Sequence, residues 1–278
     1  MTEQYLKSKK VGFVGTGNMG QAIIRALINS GKVPASNIFA TNRTPGKLQK
    51  LVDQLGVNPV NSIEELLDRS DIVILGIKPQ DFYAAIEPIA SSFGPQHIVV
   101  SLLAGVSIKS LQKVMRNVKI LIRAMPNTAA TINKSVVGYC LAESAKGMDG
   151  LAEDLLSPLG FVVQVEEGEE FEALTVSCSS GIGFVFELMI YWQEWLEEHG
   201  FDAETARAMT VKTFLGASLL ADQAEGTSLQ DLQNRVVSKK GVTAAGLDSM
   251  GELEVERAIR YSFEKAVLRD RELGQTSV

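Results

Sequence analysis

The chain has 278 residues, about twice the length of a typical domain, and this length predicts two domains. Acidic residues outnumber basic ones by 33 to 27, and the net charge of −6 argues against nonspecific binding to nucleic acid or to an anionic membrane. Two cysteines, Cys140 and Cys178, are too few for a disulfide framework or a Cys-x-x-Cys zinc site, and two histidines, His97 and His199, are too few for a histidine metal site or a Ser-His-Asp triad. We therefore predict no metal.

No segment has the pattern of a targeting signal. The first ten residues, MTEQYLKSKK, are polar and basic and lack the apolar core of a signal peptide. The most apolar later stretch, IGFVFELMIYW, is interrupted by Glu187 and is too short to span a bilayer. We expect a protein of the cytoplasm.

The first half of the chain alternates short apolar runs with helical patterns. Ser62, followed three residues later by Glu65, has the pattern of a capping box at a helix start. Strands that alternate with helices predict an α/β fold with a doubly wound parallel sheet covered on both faces. The predicted strands are Val11–Gly15, Ile38–Thr41, Val57–Val60, Ile72–Ile77, Ile98–Leu103, Lys119–Met125, Val136–Leu141 at the sheet edge, and Leu159–Val165. The predicted helices include Ala22–Asn29 and one whose apolar face is Leu48, Leu51, Val52 and Leu55.

The second half shows almost only helical periodicity. Glu169–His199 is predicted as one long helix that ends at Gly200, and its apolar residues cover more than one face. Such a helix is either central to its own domain or, as we favour, buried against a partner subunit. Further helices are expected from Asp202, from Ser228, near Thr243 and over Glu252–Leu273. The predicted domains are residues 1–168 and 169–278.

The first chemical motif is Gly15-Thr16-Gly17-Asn18-Met19-Gly20, with a predicted strand before it and a helix after it. Gly15 permits the tight turn, Gly17 lets the backbone approach a pyrophosphate, and Gly20 allows close packing of helix on strand. The motif predicts a dinucleotide site, and the alternative is a tight turn without a ligand.

The end of the second strand indicates which dinucleotide binds. An NAD site usually has an acid there for the ribose 2′-hydroxyl, but this chain has Asn42, Arg43 and Thr44 instead. Arg43 can form a forked contact with a 2′-phosphate, and the side chains of Asn42 and Thr44 can add hydrogen bonds. NADP is therefore favoured over NAD, although Arg43 could also be a solvated loop cation.

Three more loops follow predicted strands at the edge where doubly wound folds bind ligands. Lys78-Pro79 would place a cation over the edge of the cofactor, and the small residues around Leu103-Ala104 would admit a nicotinamide ring. The polar segment from Arg123 to Thr128 would meet the ligand, with Asn127 expected to contact the substrate.

In order and spacing, the segments GFVGTGNMG, NRT, IKPQ, SLLAGVS and RAMPNTAA resemble the pyrroline-5-carboxylate reductases. The later stretch Ser238–Leu247, SKKGVTAAGL, looks like that family's substrate loop, commonly S-P-G-G-T-T or S-K-G-G-T-T before a helix. The resemblance covers nearly the whole chain. The nucleotide motif is generic, whereas the R-x-M-P-N-T and S-x-x-G-x-T elements together are specific.

The resemblance implies a Rossmann domain followed by an all-helical domain that interlocks with its two-fold mate in a homodimer, and such dimers often assemble into rings. It implies reduction of L-1-pyrroline-5-carboxylate to L-proline by NADPH or NADH, the last step of proline synthesis. By position, Gly15–Gly20, Asn42, Arg43, Lys78-Pro79 and Leu103-Ala104 would face the cofactor, and Gly241, Val242 and Thr243 would meet the substrate.

Thr243 carries the mechanistic hypothesis. It precedes Ala244-Ala245-Gly246-Leu247 and is therefore predicted to be a helix N-cap, where free amides suit a carboxylate. Its hydroxyl could instead hydrogen-bond the imine nitrogen, and the alternative is that Thr243 only caps its helix. Because Thr243 and Gly17 lie in different predicted domains, we expect the site to form between domains or between subunits.

Several positions depart from the family pattern. Cys178–Phe184 replaces S-G-S-G-P-A-Y, Ala129 replaces a proline, and Lys239-Lys240-Gly241-Val242 alters the substrate loop. These departures leave open a reductase of another cyclic imine or a noncatalytic, regulatory nucleotide-binding paralogue. A β-hydroxyacid dehydrogenase, which typically carries a catalytic lysine on the long helix, is disfavoured because Glu170–His199 contains no lysine.

Overall fold

The structure, a computed structural model, describes residues 6–275. The chain forms two compact units. The first unit contains the residues up to Ser180 together with those from Ala266 onward. The second, helical unit is Gly181–Lys265. The predicted border after residue 168 stays a prediction, and residue 169 is where a long helix begins.

The first unit contains an eight-stranded sheet with the order β3-β2-β1-β4-β5-β6-β7-β8. β1 to β6 pair in parallel, and the order reverses between β1 and β4, which confirms the predicted doubly wound fold. The strands are β1 Val11–Val14, β2 Ile38–Thr41, β3 Asn58–Pro59, β4 Ile72–Leu75, β5 Ile98–Ser101, β6 Ile120–Met125, β7 Ser135–Leu141 and β8 Gly160–Gln164.

Two expectations about β7 are wrong. β7 lies between β6 and β8 instead of at the sheet edge, and it runs antiparallel to β6, so the sheet is mixed. The cause is the short connection between β6 and β7. A parallel neighbour needs a crossover of a dozen or more residues, and only residues 126–134 separate these two strands. β8 then returns parallel to β7 and forms the edge.

Helices cover both faces of this sheet. Side chains of β1 alternate between two apolar clusters, with Phe13 in one and Val14 in the other.

One predicted helix start is confirmed: the Ser62 hydroxyl accepts a hydrogen bond from the amide of Glu65 at 3.1 Å. The helices are α1 Asn18–Asn29, α2 Pro45–Leu55, α3 Ile63–Asp68, α4 Phe82–Ile86, α5 Ile108–Val114 and α6 Asp149–Leu156.

The predicted long helix is present as α7, Glu169–Glu198, and it contains one π-helical segment at Thr175–Ser180. Hydroxyl groups bond back to carbonyls one turn earlier at the start of this segment, Thr175 to Phe171 at 2.8 Å and Ser177 to Ala173 at 2.7 Å. Such bonds compete with the backbone ladder and commonly accompany local distortion of a helix.

Two of the remaining helices begin where the sequence predicts, whereas the last begins at Val255 and not at the predicted Glu252, which ends the helix before it. The carboxylate of Asp202 accepts a hydrogen bond from the amide of Thr205 at 3.0 Å, and the Ser228 hydroxyl accepts one from the amide of Asp231 at 3.1 Å. These helices are α8 Ala203–Gln223, α9 Leu229–Val236, α10 Val242–Glu252 and α11 Val255–Gln275. From Ala266 on, α11 belongs to the first unit.

Large apolar side chains of α7 remain exposed in the single chain. Phe186 is 58% exposed, Trp192 51% and Trp195 58%. Exposed apolar surface of this kind indicates an interaction face. Among the described residues, α7 is the one helix whose length and apolar composition would suffice to cross a membrane. This finding corrects the expectation that no apolar stretch is long enough to span a bilayer.

Candidate active site

The carboxyl ends of β1, β2 and β4 are tied together at the point where the strand order reverses. The amide of Gly15 donates to the carbonyl of Thr41 at 3.0 Å, and the amide of Gly76 donates to the carbonyl of Val14 at 2.9 Å. The loops after these three strands therefore start at the same level of one sheet edge. In doubly wound sheets this switch point is where a ligand binds.

The glycine-rich turn after β1 fits a dinucleotide. Gly15 has a positive φ of 97°, and a Cβ there would lie 2.8 Å from the carbonyl oxygen of Gly76. A Cβ on Gly20 would lie 2.6 Å from the carbonyl oxygen of Gly15, so only glycine permits this approach of helix to turn. A Cβ on Gly17 would instead enter open space, in front of the first amides of α1, and no side chain caps that helix. An anion can approach the backbone there.

Two predicted cofactor residues do not expose their side chains. Thr16 and Leu103 are both buried, and Leu103 packs in the apolar cluster that contains Val14. The Thr16 carbonyl accepts a hydrogen bond from Nε2 of Gln21 at 3.0 Å, and its hydroxyl has no partner among the residues that the structure describes. At both positions only the backbone can meet a ligand, whereas Asn18 is exposed and Met19 half-buried beside the turn.

Arg43 lies in the loop after β2 and is 84% exposed on its side chain. Its Nη1 is 3.6 Å from Oδ2 of Asp81, which comes from the loop after β4. Nδ2 of Asn42 donates to the carbonyl of Thr44 at 3.1 Å and shapes the same loop. Asp81 was not among the predicted site residues, although its place three residues after Lys78, at the end of a neighbouring strand, was a usable signal.

The loop after β4 makes a short 3₁₀ turn. Pro79 begins this turn, Pro79–Asp81, and the amide of Asp81 donates to the carbonyl of Lys78 at 2.9 Å. The Lys78 side chain is exposed. A cation is thus placed in a loop at the carboxyl end of β4, and the prediction that Lys78 faces the cofactor stays a prediction.

The loop after β5 is fixed from behind by the end of α11. Gly105 has a positive φ of 72°, and a Cβ there would lie 2.5 Å from the carbonyl oxygen of Asp270. The Gly105 backbone lies close enough to the Asp270 carboxylate to favour its charged form. Burial raises the pKa of Asp270, and the nearby Arg123 opposes that shift. The small loop that includes Ala104 therefore packs directly against the last turns of α11.

A partly buried ionic cluster lies near the ends of β5 and β6. Oε1 of Glu167 accepts hydrogen bonds from Nη1 of Arg123 and from the amide of Ile108, both at 3.0 Å, and its Oε2 accepts one from Sγ of Cys140 at 2.9 Å. The Arg123 guanidinium lies 4.0 Å from the centre of the Phe171 ring. Burial, with the Glu167 carboxylate beside it, raises the pKa of the Cys140 thiol well above its usual range.

Asn127 is buried and mainly structural. Its Nδ2 donates to the carbonyl of Cys178 at 3.0 Å, and its Oδ1 accepts a hydrogen bond from the amide of Ala129 at 3.0 Å. The side chain thus ties the end of β6 to the π-helical segment. One Nδ2 hydrogen is left over for another acceptor. The role of Asn127 in substrate binding stays a prediction.

Thr243 is not the N-cap of its helix. Gly241 is the N-cap of α10, and Thr243 is the second helical residue. The chain turns at Ser238–Gly241, closed by a 2.9 Å hydrogen bond from the amide of Gly241 to the carbonyl of Ser238. A Cβ on Gly241 would collide with the Ser238 hydroxyl, which would have to rotate away to admit a side chain at the cap. Val242 and Thr243 are both exposed, and no side chain accepts from the first amides of α10.

Lys240 occupies this turn with a strained backbone. Its φ is +61°, a left-handed conformation that costs a residue with a Cβ about 1–2 kcal/mol. We expect Lys240→Gly to raise the free energy of unfolding by about 0.5 kcal/mol, after the greater freedom of glycine in the unfolded chain is subtracted. Chemical denaturation measures this difference. Lys239→Gly is the matched control and should lower stability, since its φ is not positive; equal effects of the two substitutions would contradict the assignment.

The fold and this switch point define a class: dehydrogenases that bind NADP or NAD on a Rossmann-like domain and continue into a helical domain. Residues 10–105 match the family model described as NADP oxidoreductase coenzyme F420-dependent. Residues 168–273 match the model described as pyrroline-5-carboxylate reductase dimerisation. The chain belongs to the pyrroline-5-carboxylate reductase family.

Relatives of known sequence and structure match the chain along its whole length. Pyrroline-5-carboxylate reductase 2 of Bacillus subtilis is 33% identical over 269 residues, which cover 96% of each chain. The structure of a pyrroline-5-carboxylate reductase from Coxiella burnetii superposes with a TM-score of 0.88 at 28% identity and covers 97% of this chain and 100% of its own. A Plasmodium falciparum pyrroline carboxylate reductase with NADP bound shares the fold, with a TM-score of 0.85 at 20% identity over 97% of this chain and 99% of its own.

The family match also explains the exposed face of α7. The dimerisation model spans 168–273 and therefore includes the whole of this helix, so the helical domain mediates homo-oligomerisation. The exposed side chains of Phe186, Trp192 and Trp195 suit a subunit interface, whose core is enriched in aromatic residues. The expectation that a partner subunit covers this helix agrees with the match.

Proposed function

We propose that the chain reduces L-1-pyrroline-5-carboxylate to L-proline with NADPH or NADH, the last step of proline biosynthesis. The observation that carries this proposal is the 33% identity to the Bacillus subtilis reductase over 96% of both chains. The homodimer through the helical domain and a cytoplasmic location belong to the same proposal, and the two free thiols, Cys140 and Cys178, agree with a reducing compartment. A ring of dimers stays a prediction.

The cofactor is held by backbone and cations at the switch point. The glycine-rich turn Gly15–Gly20 would hold the pyrophosphate, and Arg43 would hold the 2′-phosphate, which is the reason to place NADPH ahead of NADH. Lys78, Pro79 and the backbone of Leu103-Ala104 would border the nicotinamide half. When bound, the cofactor supplies the hydride.

The substrate carboxylate is assigned to the start of α10. Gly241 caps this helix without a side-chain acceptor, so the amides of its first turn point outward with the positive end of the helix dipole. Lys239 and Lys240 precede the cap and are exposed. The two lysines add positive charge where a small anion would bind.

Thr243 is assigned to the imine nitrogen. A protonated cyclic imine is already activated for hydride addition, so the protein needs no strong base and only has to hold the ring in place. The Thr243 oxygen accepts a hydrogen bond from the protonated nitrogen and stabilises that form. Addition of hydride to ring carbon C5 converts the carbon–nitrogen double bond into an amine, and the proton stays on nitrogen.

The assay that tests the function follows loss of NADPH absorbance with the purified full-length chain, with and without pyrroline-5-carboxylate, and with NADH in parallel. Rapid oxidation that depends on the substrate is expected. Tight cofactor binding without oxidation would instead favour another cyclic imine or a regulatory role.

Thr243→Ala should lower kcat by at least about tenfold, the equivalent of one lost hydrogen bond of about 1.4 kcal/mol, with little change in NADPH affinity. Thr243→Ser keeps the hydroxyl and is the matched control, expected within about threefold of the unsubstituted chain. Both variants should unfold at the same temperature, because Thr243 is exposed and is not a cap. Equal loss of cofactor affinity in Thr243→Ala would assign the residue a structural role.

A further inference from the structure

The ion pair between Arg43 and Asp81 bridges two loops across the carboxyl end of β1. β2 and β4 flank β1 on either side, and Arg43 follows β2 while Asp81 follows β4. The glycine-rich turn begins between them, with Gly15 bonded to Thr41 on one side and Gly76 bonded to Val14 on the other. The pair therefore lies at the adenosine-ribose end of the cofactor site described above.

Among the described residues, the Asp81 side chain accepts no hydrogen bond that would give it a structural role. Asp81 stands at the N-terminal end of α4, but its side chain accepts no capping hydrogen bond there. The pair is open to water, with the Arg43 side chain 84% and the Asp81 side chain 36% exposed, so it contributes little to stability. The Asp81 carboxylate pairs with Arg43, the arginine of the loop after β2, and so alters which ligands Arg43 can bind.

The two nicotinamide cofactors differ at this position by a 2′-phosphate. NADPH brings about two negative charges, which Arg43 attracts and Asp81 repels. NADH brings a hydroxyl, for which a carboxylate is the usual acceptor. Arg43 alone would select strongly for NADPH, whereas the neutral pair serves both ligands.

We propose that Asp81 is a specificity-determining residue that weakens the preference of this chain for NADPH and supports binding of NADH. This inference rests on the proposed placement of the 2′-phosphate at Arg43. Asp81 acts on the bound ribose in two ways: it repels a 2′-phosphate and competes for the Arg43 guanidinium, and it accepts a hydrogen bond from a 2′-hydroxyl.

Asp81→Asn tests the proposal by direct binding, measured as the fluorescence change of NADPH and of NADH on titration with the full-length chain without substrate. NADPH affinity should rise about three- to tenfold and NADH affinity should fall or stay constant, with the gain for NADPH shrinking as salt is raised. Asp68→Asn is the matched control. It makes the same charge change at an exposed residue before β4, at the opposite sheet edge, and should change neither affinity.

Two outcomes would overturn the proposal: an unchanged ratio of the two affinities, which includes a parallel change in both, or a shift of the ratio toward NADH. A parallel change would mean that Asp81 only shapes its loop. Because the readout is cofactor binding, it decides the role of Asp81 even if the chain does not reduce pyrroline-5-carboxylate. Failure of the proposed reaction and failure of this inference are thus observed separately.

Discussion

Arg43→Glu is expected to weaken NADPH binding by about 100-fold and to leave NADH binding within about threefold. The substitution removes a charge-assisted contact to the 2′-phosphate and puts a second carboxylate next to Asp81, 3.6 Å from the present guanidinium. Because the Arg43 side chain is 84% exposed, its loss leaves no buried group unpaired and should not unfold the chain. The whole effect should therefore fall on the cofactor that carries the extra phosphate.

Titration of the purified chain with each reduced cofactor measures this difference. Arg69→Glu is the control for charge, because Arg69 is a half-exposed arginine that precedes β4 and so lies at the other edge of the sheet, paired with Glu65. It should alter neither affinity. If Arg43→Glu weakened NADH as much as NADPH, the 2′-phosphate would have to be placed elsewhere.

Local signals account for most of the fold. The buried strands are short apolar runs, and β2 was predicted residue for residue as Ile38–Thr41. Helix starts with a side-chain acceptor, such as Ser62 and Asp202, were also predictable, because the bond spans only three residues. The glycine-rich turn was identified for the same reason, since its steric demands lie within six residues.

The wrong predictions concern the direction of a strand and the position of a helix cap, which depend on loop length and turn geometry. The antiparallel β7 follows from the length of a loop, which apolar runs alone do not weigh. Thr243 was predicted as a cap because threonine suits that position, whereas the turn at Ser238–Gly241 shifts the cap to a residue with no side chain. Thr16 and Leu103 were assigned to the cofactor by position; both side chains are buried, so their contact with a cofactor stays a prediction that concerns the backbone alone.

Contacts between remote residues could not be predicted at all. Arg123, Cys140 and Glu167 meet in one cluster, although no short motif contains any two of them. Asp81 likewise reaches Arg43 from another loop. The place of Asp81 at the end of a neighbouring strand marks it as a candidate, but a single sequence does not show which residues pair, because the fold, and not the spacing along the chain, brings them together.

The ionic cluster beneath the site gives the second large prediction. Glu167→Ala should lower the free energy of unfolding by about 2–3 kcal/mol, somewhat below the usual effect of breaking a buried ion pair because the Glu167 side chain is itself 31% exposed. The loss comes from three donors left without their acceptor: the Arg123 guanidinium, whose side chain is only 6% exposed, the amide of Ile108 and the thiol of Cys140.

Chemical denaturation of the purified chain measures the effect, and Glu166→Ala provides the neighbouring control, since Glu166 is exposed and carries the same charge. The paired replacement Arg123→Met with Glu167→Leu should cost less than Glu167→Ala alone, because no charge then stays buried without a partner. If Glu167→Ala and Glu166→Ala were equally mild, solvent or Asp270 would already satisfy Arg123. The cluster would then support neither the end of β6 nor the loop after β5.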